Sequence, residues 1–121
     1  MSTDSTPAPL RERLRSDLTT ALKARDRAAA SVLRATLAAI ENAEAVAVPE
    51  PTGPLAVELL PVGVGAAEAE RRELTEADVA AIVRGELAER EGAAAEYERL
   101  GRDEQAAQLR ADAARLAGYL G

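Results

Sequence analysis

The sequence predicts an all-α domain in which two antiparallel helical hairpins pack as a small four-helix unit. Three observations predict it. Apolar residues recur at helical spacing in four separate stretches. Only "ARD" separates the first two stretches and only "GRD" the last two, so each pair must fold back on itself. Aromatic residues make up just 2% of the chain while apolar residues make up 47%. A core of Leu, Val, Ile and Ala suits close helix packing, because Ala has the highest helix propensity and lets axes approach. Strands favour aromatic and β-branched side chains, which argues against a sandwich. At 121 residues the chain is one domain.

The first helix is expected over about 8–24. Thr6 would be its N-cap and Pro7 its first position, where a missing N–H costs nothing. Leu10, Leu14, Leu18 and Leu22 define its apolar stripe. Asp26 would cap the second helix, 26–44, whose buried face is Ala29, Val32, Leu33, Thr36, Leu37, Ile40 and Ala43. Residues 45–73 hold four of the six prolines and three glycines, Gly53, Gly63 and Gly65. They are expected to be an irregular insertion, with Leu55 to Leu60 as a strand or short helix and Ala66 to Arg72 as a helical turn.

The third helix, 76–100, has the clearest start. Thr75 and Asp78 form a relative of the capping box, with Leu74 and Val79 placed for a hydrophobic staple. Val79, Ile82, Val83, Leu87, Ala94 and Tyr97 follow one face, and Gly101 is placed to end the helix. The fourth, 103–120, starts at a capping Asp103 and carries Leu109, Ala113, Leu116 and Leu120 on one stripe.

The chain has neither Cys nor His, which removes thiolate nucleophiles, disulfides, Cys/His zinc sites and every His-based triad. Catalytic, metal-ligating and cofactor-binding residues are therefore assigned to none of its positions. Glu86, Glu89, Glu91, Glu96 and Glu98 alternate with Arg84, Arg90 and Arg99, as an exposed helical face does. "GVGAAEAE" lacks the third glycine and the Lys-Ser/Thr of a phosphate loop. Ser31 has no base to activate it, and its hydroxyl is expected to bond back to its own helix. Tyr97 and Tyr119 are expected at the core edge rather than as base-stacking platforms.

Net charge is −6 and unevenly spread. Residues 1–44 carry seven basic and six acidic side chains, residues 45–121 eight and fifteen. The only basic cluster is Lys23, Arg25, Arg27 and Arg34, at the first turn-around. It is the place to look for an anionic partner, although the chain as a whole is a poor match to a phosphate backbone. The first nine residues do not read as a signal peptide, and no apolar run is long enough to span a bilayer. A cytoplasmic location is the expectation.

"LRERLRSDLTTALKARDR" with "SVLRATLAAIENAE", and later "ELTEADVAAIVRGELAEREGAAAEYERLGRDEQAAQLRADAARLAGYL", resemble the N-terminal helical domain of the YqeY family over about 10–44 and 73–120. The "ALKARD" turn, "LRATLAAIENAE", and Tyr97 with Gly101-Arg102 before Tyr119-Leu120 carry the likeness. The insertion at 45–73 is longer than that family's usual connection, Ala29 and Glu91 stand where relatives are often basic, and the family's second, tail-like domain has no counterpart in 1–121. The family is in turn similar to the C-terminal appendage of the B subunit of glutamine-dependent aminoacyl-tRNA amidotransferase. The resemblance implies a non-catalytic accessory module that works through a protein partner. Its alternatives are carbon–nitrogen ligase activity with glutamine as amide donor, and tRNA binding through the cluster at Lys23, Arg25, Arg27 and Arg34. It transfers no catalytic residue.

Overall fold

The computed structural model describes residues 8–45 and 73–121. Among these the chain forms four α-helices and no strand: α1 (Leu10–Ala24), α2 (Arg27–Ala45), α3 (Glu76–Arg99) and α4 (Asp103–Ala117). Helices α1 and α2 pack as one antiparallel hairpin, α3 and α4 as the other. Helices α2 and α3 each touch all three of the others. The expected elements at 55–60 and 66–72, and the Thr6–Pro7 start, lie outside the described residues.

Helix α1 begins two residues later than its expected start at Ala8, on Pro9, which is extended at φ −56°, ψ 148° and offers no side-chain cap. The ring of Pro9 disfavours the α conformation in the residue before it, and Ala8 stays outside the helix. The free amide at the helix start is satisfied from elsewhere in the fold. The Leu10 N–H donates to Glu76 Oε2 at 2.8 Å across 66 residues of sequence. Glu76 is the first residue of α3, so one carboxylate serves two helix N-termini, where negative charge is favoured.

The core contains Leu10, Leu14, Ala21, Val32, Leu33, Ile40, Val79, Val83 and Leu116, with Leu18, Leu74, Ile82, Leu87, Tyr119 and Leu120 packed against it. Leu22 is not part of it and is 46% exposed. A repeat of four overshoots the helical turn, so Leu22 lies about 120° round from Leu10 while Ala21 lies only about 20° away. Ala21 is accordingly the buried residue of that turn. Thr36 is fully buried, and its hydroxyl donates to the Val32 carbonyl at 2.8 Å, which removes the cost of an unpaired polar atom.

Beyond the common core, α3 and α4 are packed by small residues, the buried Ala94, Ala106 and Ala113. The start of α3 is as expected. Thr75 Oγ1 accepts from the Asp78 N–H and Asp78 Oδ2 from the Thr75 N–H, both at 3.0 Å. At its end Gly101 sits at φ 76°, with Arg102 N–H bonded to the Tyr97 carbonyl at 2.8 Å and Gly101 N–H to that of Glu98 at 3.0 Å. That is a Schellman closure. Asp103 is not the cap of α4 but its first residue, with Arg102 at the cap position. Helix α4 stops at Ala117, short of the expected 120, because Gly118 weakens the helix. Single-turn bonds from Tyr119 N–H to the Leu116 carbonyl and from Leu120 N–H to that of Ala117 carry the chain on, so Leu120 still reaches the core.

Candidate interaction surface

The α1–α2 turn ends its first helix in the same way as the α3–α4 turn, but without glycine. Arg25 N–H bonds to the Leu22 carbonyl at 3.2 Å and Asp26 N–H to that of Ala21 at 2.9 Å. Arg25 takes the left-handed conformation at φ 60°, ψ 33°, which costs an L-residue roughly 1–2 kcal/mol. Asp26 then caps α2, its Oδ1 accepting from the Ala29 N–H at 3.1 Å.

This turn and the first two turns of α2 border a groove lined by Ala21, Leu22, Arg25, Arg27, Ala30 and Arg34. Its floor is apolar and its rim carries three guanidinium groups. Asp26 and Ser31 complete the wall; Ser31 is exposed there. Of the four sequence candidates, Arg25, Arg27 and Arg34 are brought together, and Lys23 is exposed nearby without lining the groove. Ion pairs among the described residues involve Arg11, Arg90, Arg99 and Arg110, and none involves these four cations. Two of the arginines sit where helix stability would not put them. Arg27 is the first residue of α2, at the positive end of its dipole, with no acidic residue in that first turn. Arg25 occupies a conformation suited to glycine.

Sequence reading missed Leu22, which was assigned to the core. Laying the residues on a helical wheel, rather than counting fours, would have placed it on the rim.

Several other charged groups are engaged within the fold. Arg11 pairs with Glu44 at 2.6 Å, joining α1 to the end of α2. On α3, Glu86 pairs with Arg90 at 2.9 Å, and Glu96 with Arg99. Glu98 receives two bonds from Arg110 of α4, at 2.8 and 3.2 Å. The Arg110 hydrogen bond, and then its charge, hold the Glu98 carboxyl below its usual range. The helix-3 carboxylates are thus largely neighbours of arginines. No group of three or more acidic side chains converges as a metal-ligand set among the described residues.

A second depression, at the opposite end, is lined by Leu10, Arg13, Glu76, Arg84, Tyr119 and Leu120 among others. Arg13 stacks over the Tyr119 ring at 5.2 Å, and the Tyr119 hydroxyl donates to Asp17 Oδ2. Burial, followed by the Asp17 hydrogen bond and charge, pushes the Tyr119 phenol well above its usual range, against a smaller opposing pull from Arg13 and Arg115. A phenol whose pKa is raised on folding stabilises the fold below its unfolded value, about 10, and that contribution is lost as pH rises further. Denaturant unfolding between about pH 9 and 12 is expected to lose stability more steeply in the native chain than in Tyr119→Phe.

No helix among the described residues is long and apolar enough to cross a membrane. Comparisons with known protein families, curated proteins and solved structures return no match to this chain.

Proposed function

We propose that this protein is a non-catalytic helical interaction module that takes hold of an anionic protein partner through the groove at its α1–α2 turn. The observation that carries the reading is the groove itself. Arg25, Arg27 and Arg34 surround the exposed Leu22, with the buried Ala21 and Ala30 beneath it, and none of the three has an ion-pair partner among the described residues. Guanidinium groups around an apolar floor favour carboxylate-bearing peptide surface, since Arg binds carboxylates in a bidentate fork and Leu anchors the contact. A single-stranded ribonucleic acid would call for stacking platforms as well. Tyr119 is bound to Arg13 and Asp17 at the other end of the bundle. The lack of Cys and His, and the likeness of both hairpins to the YqeY accessory domain, support the same class of function.

The test is affinity capture from native extract, with and without ribonuclease, using the native chain and an Arg25→Glu/Arg27→Glu/Arg34→Glu variant. The expected result is a protein that survives ribonuclease and is lost with the variant. Loss on ribonuclease treatment would instead identify RNA, transfer RNA included, as the ligand. Sustained glutaminase or amide-transfer turnover by the purified chain would overturn the non-catalytic reading in favour of a carbon–nitrogen ligase.

Arg25→Gly separates stability from binding. Glycine relieves the left-handed strain at a net gain of roughly 0.5–1 kcal/mol, measurable by thermal or denaturant unfolding. The same change removes one rim cation and is expected to weaken capture.

A further inference from the structure

The two ends of the bundle differ. At one end α1 and α3 start side by side, linked by the Leu10–Glu76 bond; Arg11–Glu44 brings the end of α2 there, and Tyr119, beyond α4, lines a depression there with Leu10 and Glu76. Both turns therefore lie at the other end. Helix α3 has 24 residues and α1 has 15. With their starts level, the second hairpin projects beyond the first by roughly 13 Å. The far end is a step, with the α1–α2 turn on the low tread and the α3–α4 turn on the high one.

The large apolar side chains exposed among the described residues are Leu22 at 46% and Leu100 at 63%. One lies on each tread. Their electrostatic surroundings are opposite. Residues 21–34 contain four cations and one carboxylate, whereas residues 91–110 contain five carboxylates and three cations. Arg99 and Arg110, two of those three cations, are already paired with Glu96 and Glu98. Asp103 and Glu104, next to Leu100 at the start of α4, have no ion pair within the described residues.

We infer that this stepped end is self-complementary, and that a second copy of the chain docks on it about a two-fold axis, the acidic α3–α4 tip of each protomer seated in the basic α1–α2 groove of the other. A step meets its own two-fold image with the high tread over the low one, so shape and charge are satisfied together. An isologous contact of this kind forms each tip-to-groove pairing twice. Each Leu100 is then covered by a groove containing Leu22, and Asp103 and Glu104 face Arg25, Arg27 and Arg34. The inference rests on the groove reading above and names its anionic protein: another molecule of the same chain. Assembly is consequently concentration-dependent and weakened by salt.

Sedimentation velocity of the full chain over a concentration series reaching about 1 mM, in low and high salt, tests it. A monomer–dimer equilibrium that shifts toward monomer with salt is expected. Leu100→Glu and Leu22→Glu, both at exposed positions that leave the core untouched, are each expected to raise the dissociation constant at least about tenfold, with circular dichroism unchanged. Arg27→Glu and Glu104→Arg are each expected to weaken the dimer, and the two combined in one chain to restore it, because the swapped charges meet across the two-fold axis. A native chain that stays monomeric throughout overturns self-docking. If the groove variant still loses its partner in the extract, the interaction reading stands without it. A dimer that is indifferent to Leu100→Glu and to both charge reversals overturns the tip-in-groove geometry.

Discussion

Leu116→Ala is expected to destabilise the fold by roughly 2–5 kcal/mol, the range for truncating a buried leucine. Leu116 is fully buried and is the residue of α4 that belongs to the common core. Its neighbours Ala106 and Ala113 pack between α3 and α4 instead. Removing the leucine therefore does more than open a cavity, because it loosens the tie between the last helix and the first hairpin. Urea or thermal unfolding followed by circular dichroism at the helical band reads the loss. The same truncation at Leu109, which is only half-buried, is expected to cost clearly less. Equal costs at the two positions would show that α4 is held by its own hairpin and not by the common core.

Ala94→Leu is expected to cost roughly 1–3 kcal/mol, although it adds apolar surface. Ala94 is fully buried and Ala106 is 2% exposed, so α3 and α4 approach through side chains of a single carbon. A leucine has no room there unless the helices part. The separation would also displace the Glu98–Arg110 pair that spans the two helices further along. Denaturant unfolding gives the stability change. Glu98 titration by nuclear magnetic resonance gives a separate readout, since parting the helices should return its carboxyl toward the ordinary range. A variant as stable as the native chain, with the Glu98 titration unmoved, would mean that the seam has slack.

What could be read from the residues follows the range of the interaction concerned. The Thr75–Asp78 box and the glycine stop at Gly101 are decided within a few residues, and both stand as expected. So does Asp26, whose carboxylate caps α2 three residues on. The hairpin pairing follows from connections too short to allow anything else. Features that depend on a partner on another helix were not legible. Nothing local to Glu76 says that it will bond Leu10, and nothing near Arg110 says that it will meet Glu98. The left-handed residue at the first turn was hidden for a different reason, because "ARD" contains no glycine or asparagine to announce it. The surface was half legible: the basic cluster stood out by its charge, while its apolar floor was concealed by the assignment of Leu22 to the core.

The bond from Leu10 to Glu76 has a consequence for the order in which the molecule is made. A nascent chain completes its first helix at Ala24, yet the carboxylate that closes that helix, 66 residues beyond Leu10, is still to be synthesised. Until it arrives, the opening turn frays, with Pro9 supplying no side chain in its place. That bond thus waits for the second hairpin to dock, and it ties the two hairpins together.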